Sequence, residues 1–454
     1  MKLLSYFRGE AFQRGVHPPS QKLTAQTRIR RLPFPPRVTV PLSQHIGKVP
    51  HAIVKVGQEV VRGEPIARSD DWLSVPHHAP VTGVVEFVGL RPSARGPWVD
   101  SIVIRAHPGA TQEDLWGLPR DLAEATNADI LQMIWDTGMV GLGGAAFPTH
   151  AKLTVPKQAK VHTLVVNGCE CEPYLTCDHR VMVEQSDDLV VGIRYAMRAT
   201  GAVRAIVGIE DNKPDALLAV RAAIERAGTV PEGEIHAELV PTKYPQGSEK
   251  MLIMALFGVE IPAGGLPVAM GMVVNNVGTL AALGKLLPTG RGLTERVVTI
   301  TGPGVAKPGD YIVPLGTPLR FVLDYAGAPN VDAKQIILGG PMMGQAAASL
   351  DVPITKGMSG VLVMRGDEMA AQADRKTYPC IKCAECVESC PMGLNPSTLG
   401  MLAAKREYDL MGTQYHLGEC FECGCCSYVC PSNIPLVQQF RVAKQILREK
   451  AVAK

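Results

Sequence analysis

Eight cysteines near the C-terminal end stand in two copies of one spacing: Cys380, Cys383, Cys386 and Cys390 before Pro391, then Cys420, Cys423, Cys426 and Cys430 before Pro431. The spacing C-x2-C-x2-C-x3-C-P lets a tight loop wrap three thiolates around one four-iron cubane, while the fourth cysteine points toward the other cubane. On that rule Cys380, Cys383, Cys386 and Cys430 hold one [4Fe-4S] cluster, and Cys420, Cys423, Cys426 and Cys390 hold a second. Zinc ribbons also use C-x2-C pairs, but a zinc ion takes four ligands and gains nothing from a third cysteine at the same interval. The chemistry expected is therefore one-electron transfer. Cys425, between two ligands and off the repeat, reads as a small packing residue.

The elements that must position such clusters come from a chain of 454 residues, 46% of them hydrophobic, enough for two to four packed domains. Its 46 basic and 43 acidic residues leave a formal charge of +3, which points to no nucleic-acid partner. The start, Met1 to Arg8, has no apolar core long enough for a signal peptide, so cytoplasmic residence is expected. Of twelve cysteines, nine fall between Cys380 and Cys430, and reduced thiols in that compartment bind metal or do chemistry rather than form disulfides. The uncharged run Ile261 to Gly284 could span a bilayer by length, yet Pro262, Pro267, Asn275 and Asn276 make it read as buried loop and strand.

Clusters carry single electrons, so a two-electron donor site is sought upstream. Gly141-Leu142-Gly143-Gly144-Ala145-Ala146-Phe147-Pro148 is a glycine-rich loop whose backbone can approach a phosphate or a flat ring. It matches G-x-G-x-x-G/A, but Ile130 to Trp135 before it reads as helix where a dinucleotide fold needs a strand, so a tight turn between helices stays an alternative. Val161 to Val166 reads as a buried strand running into Asn167-Gly168-Cys169-Glu170-Cys171-Glu172-Pro173, where an open α/β sheet places ligands. Tyr244 to Lys250 precedes a helical run from Met251, and Val273-Val274-Asn275-Asn276 again sets amides after a β-branched pair. Cys169, Cys171 and Cys177 are equally read as pocket residues or buried thiols.

These four segments, followed by the double cysteine motif, resemble the RnfC subunit of the Rnf electron-transport complex over essentially the whole chain. A more distant likeness is to the flavin-binding, NADH-oxidising subunit of complex I. The resemblance implies that Gly141, Gly143, Gly144 and Lys152 lie against FMN, with Asn167, Glu170, Asn275, Asn276 and Thr279 completing the pocket. Phe147, Glu172, Gly247 and Glu249 would face the nicotinamide nucleotide, NAD(H). Two positions depart from complex I: Cys169 replaces an Asp, and Ser248 stands where that family often has a Glu. No catalytic acid, base or nucleophile is implied, because the cofactors carry the chemistry. The resemblance also implies a place at the cytoplasmic face of the bacterial inner membrane, peripheral and without a transmembrane helix. Its partners would be other subunits of the complex, an iron-sulfur subunit among them, with ferredoxin reached indirectly.

The expected architecture is multidomain α/β and β. Residues 1–115 hold a barrel-sandwich module, read from turns around Gly57, Gly63 and Gly83 in Pro50 to Val88, with Ser69-Asp70-Asp71-Trp72 where a carrier would need a lysine. His45, His51, His77 and His78 beside it read as hydrogen-bonded or solvated, with a metal site the alternative. Residues 116–295 form the α/β flavin and NADH-binding domain. Residues 296–368 form an SLBB-like β-grasp module with no visible chemistry, expected to set spacing. Residues 369–454 form an α-helical two-cluster ferredoxin-like domain, with short helices in Asn395 to Gly418 and a closing amphipathic helix in Ile434 to Ala451. A cobalamin reductase of metabolic compartments would share the flavin segments and clusters but not the N-terminal module, and a relay scaffold without its own nucleotide site is the other alternative. The eight cysteines exclude the sodium-pumping quinone reductase subunit.

Overall fold

The computed structural model describes residues 12–452 apart from 95, 121, 329–331, 333–334 and 366–374. The N-terminal octapeptide and the expected boundary at 368/369 lie outside the described residues.

The centre of the molecule is a parallel sheet whose strands run, side by side, Glu234–Val240, Arg204–Glu210, Thr163–Gly168 and Met272–Asn276. Leu164, Val165, Val166, Ile206 and Val207 are fully buried because helices cover both faces, which is why these strands read as unbroken apolar runs. The chain builds the first three strands in one direction and then crosses to the other side of Thr163–Gly168 for the fourth. Sheets of this kind open a crevice at the carboxyl ends of their strands where the order reverses. Asn167 and Asn276 stand there in register.

Two helices, Ser186–Thr200 and Val277–Leu286, fix that crevice from behind. They touch backbone to backbone: a Cβ on Gly192 would lie 1.8 Å from the Leu280 carbonyl, so only glycine permits the crossing. The run Ile261 to Gly284, expected as loop and strand, thus ends in a helix. Its start is set by Asn276, whose side chain accepts the Thr279 amide, an N-cap hidden in a stretch with no charge to mark it. Among the described residues no helix is long and apolar enough to cross a membrane.

The N-terminal module is wider than Pro50 to Val88. An antiparallel sheet of Arg37–Pro41, Trp98–Ala106, Gly83–Pro92 and Glu59–Val60 accompanies a second of His51–Ala52, Pro65–Arg68 and His77–His78. Val38, Ile66, Val81, Val85, Ile102 and Ile104 fill the space they enclose. His77 is buried, with Nε2 2.9 Å from the Leu42 carbonyl, and His45 Nδ1 is 3.1 Å from the Ile46 carbonyl. Arg30–Arg31 departs from the expected division: it adds a parallel edge strand to the β-grasp sheet, beside Gly309–Pro314. That sheet centres on Glu295–Thr301 and Gly360–Val363, with the helix Leu319–Ala326 supplying buried Leu319, Val322 and Leu323. In the C-terminal region the longer helices are Pro396–Ala404, Tyr408–Thr413 and Leu436–Val452, packed through Leu399, Met411, Leu417 and Phe440.

One lysine joins three of these modules. Lys356 of the β-grasp region is 1% exposed, and its ammonium donates to the carbonyls of Pro76 at 3.0 Å and Gly138 at 2.7 Å. Loss of hydration lowers its pKa from 10.5 to about 7. The unfolded chain therefore binds this proton more readily, so the penalty is full below the folded value and is relieved as pH rises toward 10.5. Lys356→Met should flatten that rise. It should also leave two carbonyls without a donor, at a cost of roughly 1–3 kcal/mol in urea unfolding, with faster amide exchange at 77–78 and 137–139.

Candidate functional site

The crevice at the sheet's switch point is a cleft of about 1080 Å³. Gly141, Gly143, Gly144, Phe147, Lys152, Asn167, Glu170, Glu172, Gly247, Glu249, Asn275 and Asn276 all line it. Four stretches far apart in sequence are thus brought to one place. Thr279 is the exception. It is fully buried behind the wall, where its hydroxyl accepts the Leu142 amide at 2.9 Å and so anchors the glycine-rich loop.

That loop lies between the helices Asn127–Asp136 and Thr149–Leu153, not after a strand. It is closed by Gly141 donating to the Phe147 carbonyl at 2.8 Å. Gly144 has φ +110° and open space where a Cβ would stand, so its backbone faces the cleft bare. Gly247 is needed for a different reason: a Cβ there would lie 2.8 Å from the Cys169 carbonyl. Asn167 braces the same approach by donating to the Gly247 carbonyl at 2.8 Å and accepting the Cys169 amide at 3.0 Å.

Among the polar residues the commitments differ. Lys152 is ion-paired with Glu249 at the rim. Asn275 is buried in the wall, and its Nδ2 has no partner among the described residues. Glu172 was expected to face the nicotinamide nucleotide, but both its oxygens are taken by the β-grasp module, accepting the amides of Met342 at 3.0 Å and Met343 at 2.8 Å. Glu170 accepts the amides of Asp178 at 2.9 Å and His179 at 3.3 Å, capping the helix Cys177–Glu184. Both carboxylates are structural in this state. The thiols of Cys169, Cys171 and Cys177 are hydrogen-bonded, and burial raises all three.

Sequence reasoning missed several parts of the wall. Gln44, His45 and Ile46 of the N-terminal module line it, with Ile46 donating to the Ala146 carbonyl at 3.2 Å. Leu338 to Gly340, Thr355 and Gly357 to Ser359 bring in the β-grasp module, which therefore does more than set spacing. Asp178 and Tyr244 line the cleft too; both sit beside residues whose types gave a clearer signal.

Cys420 and Phe421 stand in the same wall. The Tyr244 hydroxyl donates to the Cys423 carbonyl at 2.6 Å, and Lys250 pairs with Glu419 at 2.9 Å. Cys425 is fully buried against Val16, Tyr244 and Cys423, a packing residue at this junction. Charges act between thiols of the two motifs. Burial raises Cys386, and the charges of Cys430, Cys380 and Cys383 add to it. Burial likewise pushes Cys420 up to about 11, with Cys423 and Cys390 adding. Cys380 and Cys383 are exposed, and Cys386 and Cys430 are half-buried.

A bare glycine backbone, an unpartnered buried amide and a rim lysine fit a flat ring system carrying a phosphate. The eight cysteines in their repeated spacing fit two cubanes. These features define a flavin and iron-sulfur electron-transfer protein, and the domain families agree: the Nuo51 FMN-binding domain matches residues 134–285 and the 4Fe-4S dicluster domain 379–434. The RnfC barrel sandwich hybrid domain matches 10–108, and the SLBB domain 297–346. The chain is 41% identical to the C subunit of the proton-translocating ferredoxin:NAD(+) oxidoreductase complex of Clostridium ljungdahlii, over 90% of this chain and 88% of that one. It is 39% identical to the Na(+)-translocating counterpart of Acetobacterium woodii, over 88% of each. The chain belongs to the RnfC family. An NAD+-reducing [NiFe]-hydrogenase in its H2-reduced state shares the fold at TM-score 0.51 and 22% identity, over 70% of this chain and 63% of the other.

Crossed grouping has a direct test. Cys430→Ala should lower iron by about half and remove the EPR signal of the cluster built on Cys380, Cys383 and Cys386, although Cys430 belongs to the second motif.

Proposed function

We propose that this chain exchanges hydride between NAD(H) and FMN in the cleft and passes electrons singly through its two clusters, within an ion-translocating ferredoxin:NAD oxidoreductase complex. FMN, when bound, supplies the conversion between a two-electron hydride and single electrons. The protein's share is positioning. The bare amides around Gly144 and the Lys152 ammonium would hold the phosphate side, and Asn275 Nδ2 would donate to the ring. Phe147 at the turn offers an aromatic face to the nicotinamide nucleotide. Asn167 keeps Gly247 close so that both ligands share a narrow space.

The observation that carries this reading is that Cys420 and Phe421 share the cleft wall with the glycine-rich loop and Asn275. The cluster of Cys420, Cys423, Cys426 and Cys390 is then the inner one, first to receive electrons from the cleft. The exposed cluster of Cys380, Cys383, Cys386 and Cys430 is the outer one and faces the next carrier, an iron-sulfur subunit that leads to ferredoxin. The complex is placed at the bacterial inner membrane, with this chain peripheral on its cytoplasmic face.

Anaerobic addition of NADH to the reconstituted chain, followed by visible and EPR spectra, tests the scheme. Flavin bleaching followed by two reduced-cluster signals is expected; a flavin indifferent to NADH would sink the assignment. Lys152→Ala should weaken FMN binding by roughly tenfold or more, the worth of a hydrogen bond from a charged group, as read by flavin fluorescence on titration.

A further inference from the structure

In the cleft wall, beside Asn276, stands a carboxyl group that the flavin scheme leaves without a task. Asp178 lines the cleft, and Asn276 Nδ2 donates to its Oδ2 at 2.7 Å. Gly278 gives it room, since a Cβ there would lie 3.0 Å from Asp178 Oδ1. Its neighbour is a second carboxylate, Glu170, which is 6% exposed and accepts the helix amides it caps. Two adjacent carboxylates in a partly dry site resist ionising together, which favours a proton on Asp178.

The charged surroundings are specific. Arg296 comes from the strand Glu295–Thr301 and Lys22 from the N-terminal segment, and both favour the anion. Cys177 precedes Asp178 in the chain, and Asp310, in the strand Gly309–Pro314, bears on Glu170. Burial and then the charge of Glu170 raise Asp178 well above the ordinary carboxylate range, against those two cations. The group is therefore poised to change protonation near neutrality.

We propose that Asp178 takes up a proton when the bound flavin is reduced and releases it when the flavin discharges. This rests on the flavin reading of the cleft. Hydride transfer from NADH leaves NAD+ and places one hydrogen, two electrons and one added negative charge on the flavin. That charge, arriving beside Asp178, raises the affinity of its carboxylate for a proton drawn from water. When two electrons leave singly for the clusters, the flavin loses its added hydrogen as a proton and Asp178 returns its own. The sum is NADH giving NAD+, one proton and two electrons, with Asp178 unchanged. Asp178 so offsets, within the protein, the charge that would otherwise make flavin reduction harder.

The test is the pH dependence of the flavin midpoint potential in the full chain loaded with FMN, by anaerobic spectroelectrochemistry. Retention of FMN by the wild type is checked first by absorption; its failure would overturn the flavin reading and this proposal together. On the alkaline side of neutrality the wild type should take up one more proton per flavin reduced than Asp178→Asn, giving a steeper slope. Asp310→Asn, a buried carboxyl outside the cleft, should keep the wild-type slope. Equal slopes in wild type and Asp178→Asn, with FMN bound in both, would overturn the proposal alone. Infrared difference spectra of the wild type need no variant: a protonated-carboxyl band should appear on reduction in alkaline buffer, and its absence would also overturn the proposal.

Discussion

Three backbone carbonyls, those of Glu170, Glu172 and Leu175, turn toward one ammonium group, Lys22 Nζ, at 2.6, 2.8 and 2.6 Å. An ammonium has three donors and no acceptor, so this tripod uses all of it. Burial lowers the Lys22 pKa, with Glu170 acting in the opposite direction, and the energy of removing that charge from water is offset by three charge-assisted bonds. The consequence is a loop, Cys169 to Thr176, that leaves the sheet in one shape. Because the loop is fixed, Glu170 meets the helix amides, Glu172 meets Met342 and Met343, and the Thr176 amide meets Thr299 at 3.0 Å. That turn of chain is one of the joints between the flavin domain and the β-grasp module, beside the Lys356 bond to Gly138.

The remaining modules are joined by the same kind of contact, made at the rim of the same cleft. The N-terminal module reaches the glycine-rich loop through Ile46 and the α/β domain through Trp135, whose indole donates to the Ser74 carbonyl at 2.8 Å. The cluster domain is held by Tyr244, by Lys250 with Glu419, and by Gly264 donating to Glu419 at 2.7 Å. All four modules therefore contribute to one cavity wall. Electron transfer between cofactors depends on their staying close through packed protein, and this arrangement places the Cys420 loop against the cleft while leaving Cys380 and Cys383 at the surface.

Much of this is legible in the chain because local chemistry dictates it. The repeated cysteine spacing, the β-branched run before Asn167, the helix before Gly141 and the helical insert between the motifs each carry their signal within a few residues. What is hidden depends on distance. Lys22 has no motif, and its role exists only because the fold brings residues 170–175 to it. Glu172 is expected to face the nicotinamide nucleotide, but a partner 170 residues away claims its oxygens. Asp178 lies just past the segment Asn167 to Pro173, and nothing local distinguishes it from any acidic residue in a first helical turn. Arg30–Arg31 is too short a strand to show a period, and its pairing with Tyr311 and Ile312 is set by the sheet it joins.

The proposed path of electrons runs in one order: cleft, inner cluster, outer cluster. Its most direct test is freeze-quench EPR of the FMN-loaded chain in the first moments after NADH, using two variants that each lack one cluster. With Cys383→Ala, which removes the outer cluster, the remaining cluster should be reduced as fast as in the wild type. With Cys390→Ala, which removes the inner cluster although it lies in the first motif, the flavin should bleach while the remaining cluster stays oxidised. Prompt cluster reduction in Cys390→Ala, with none in Cys383→Ala, would contradict the account.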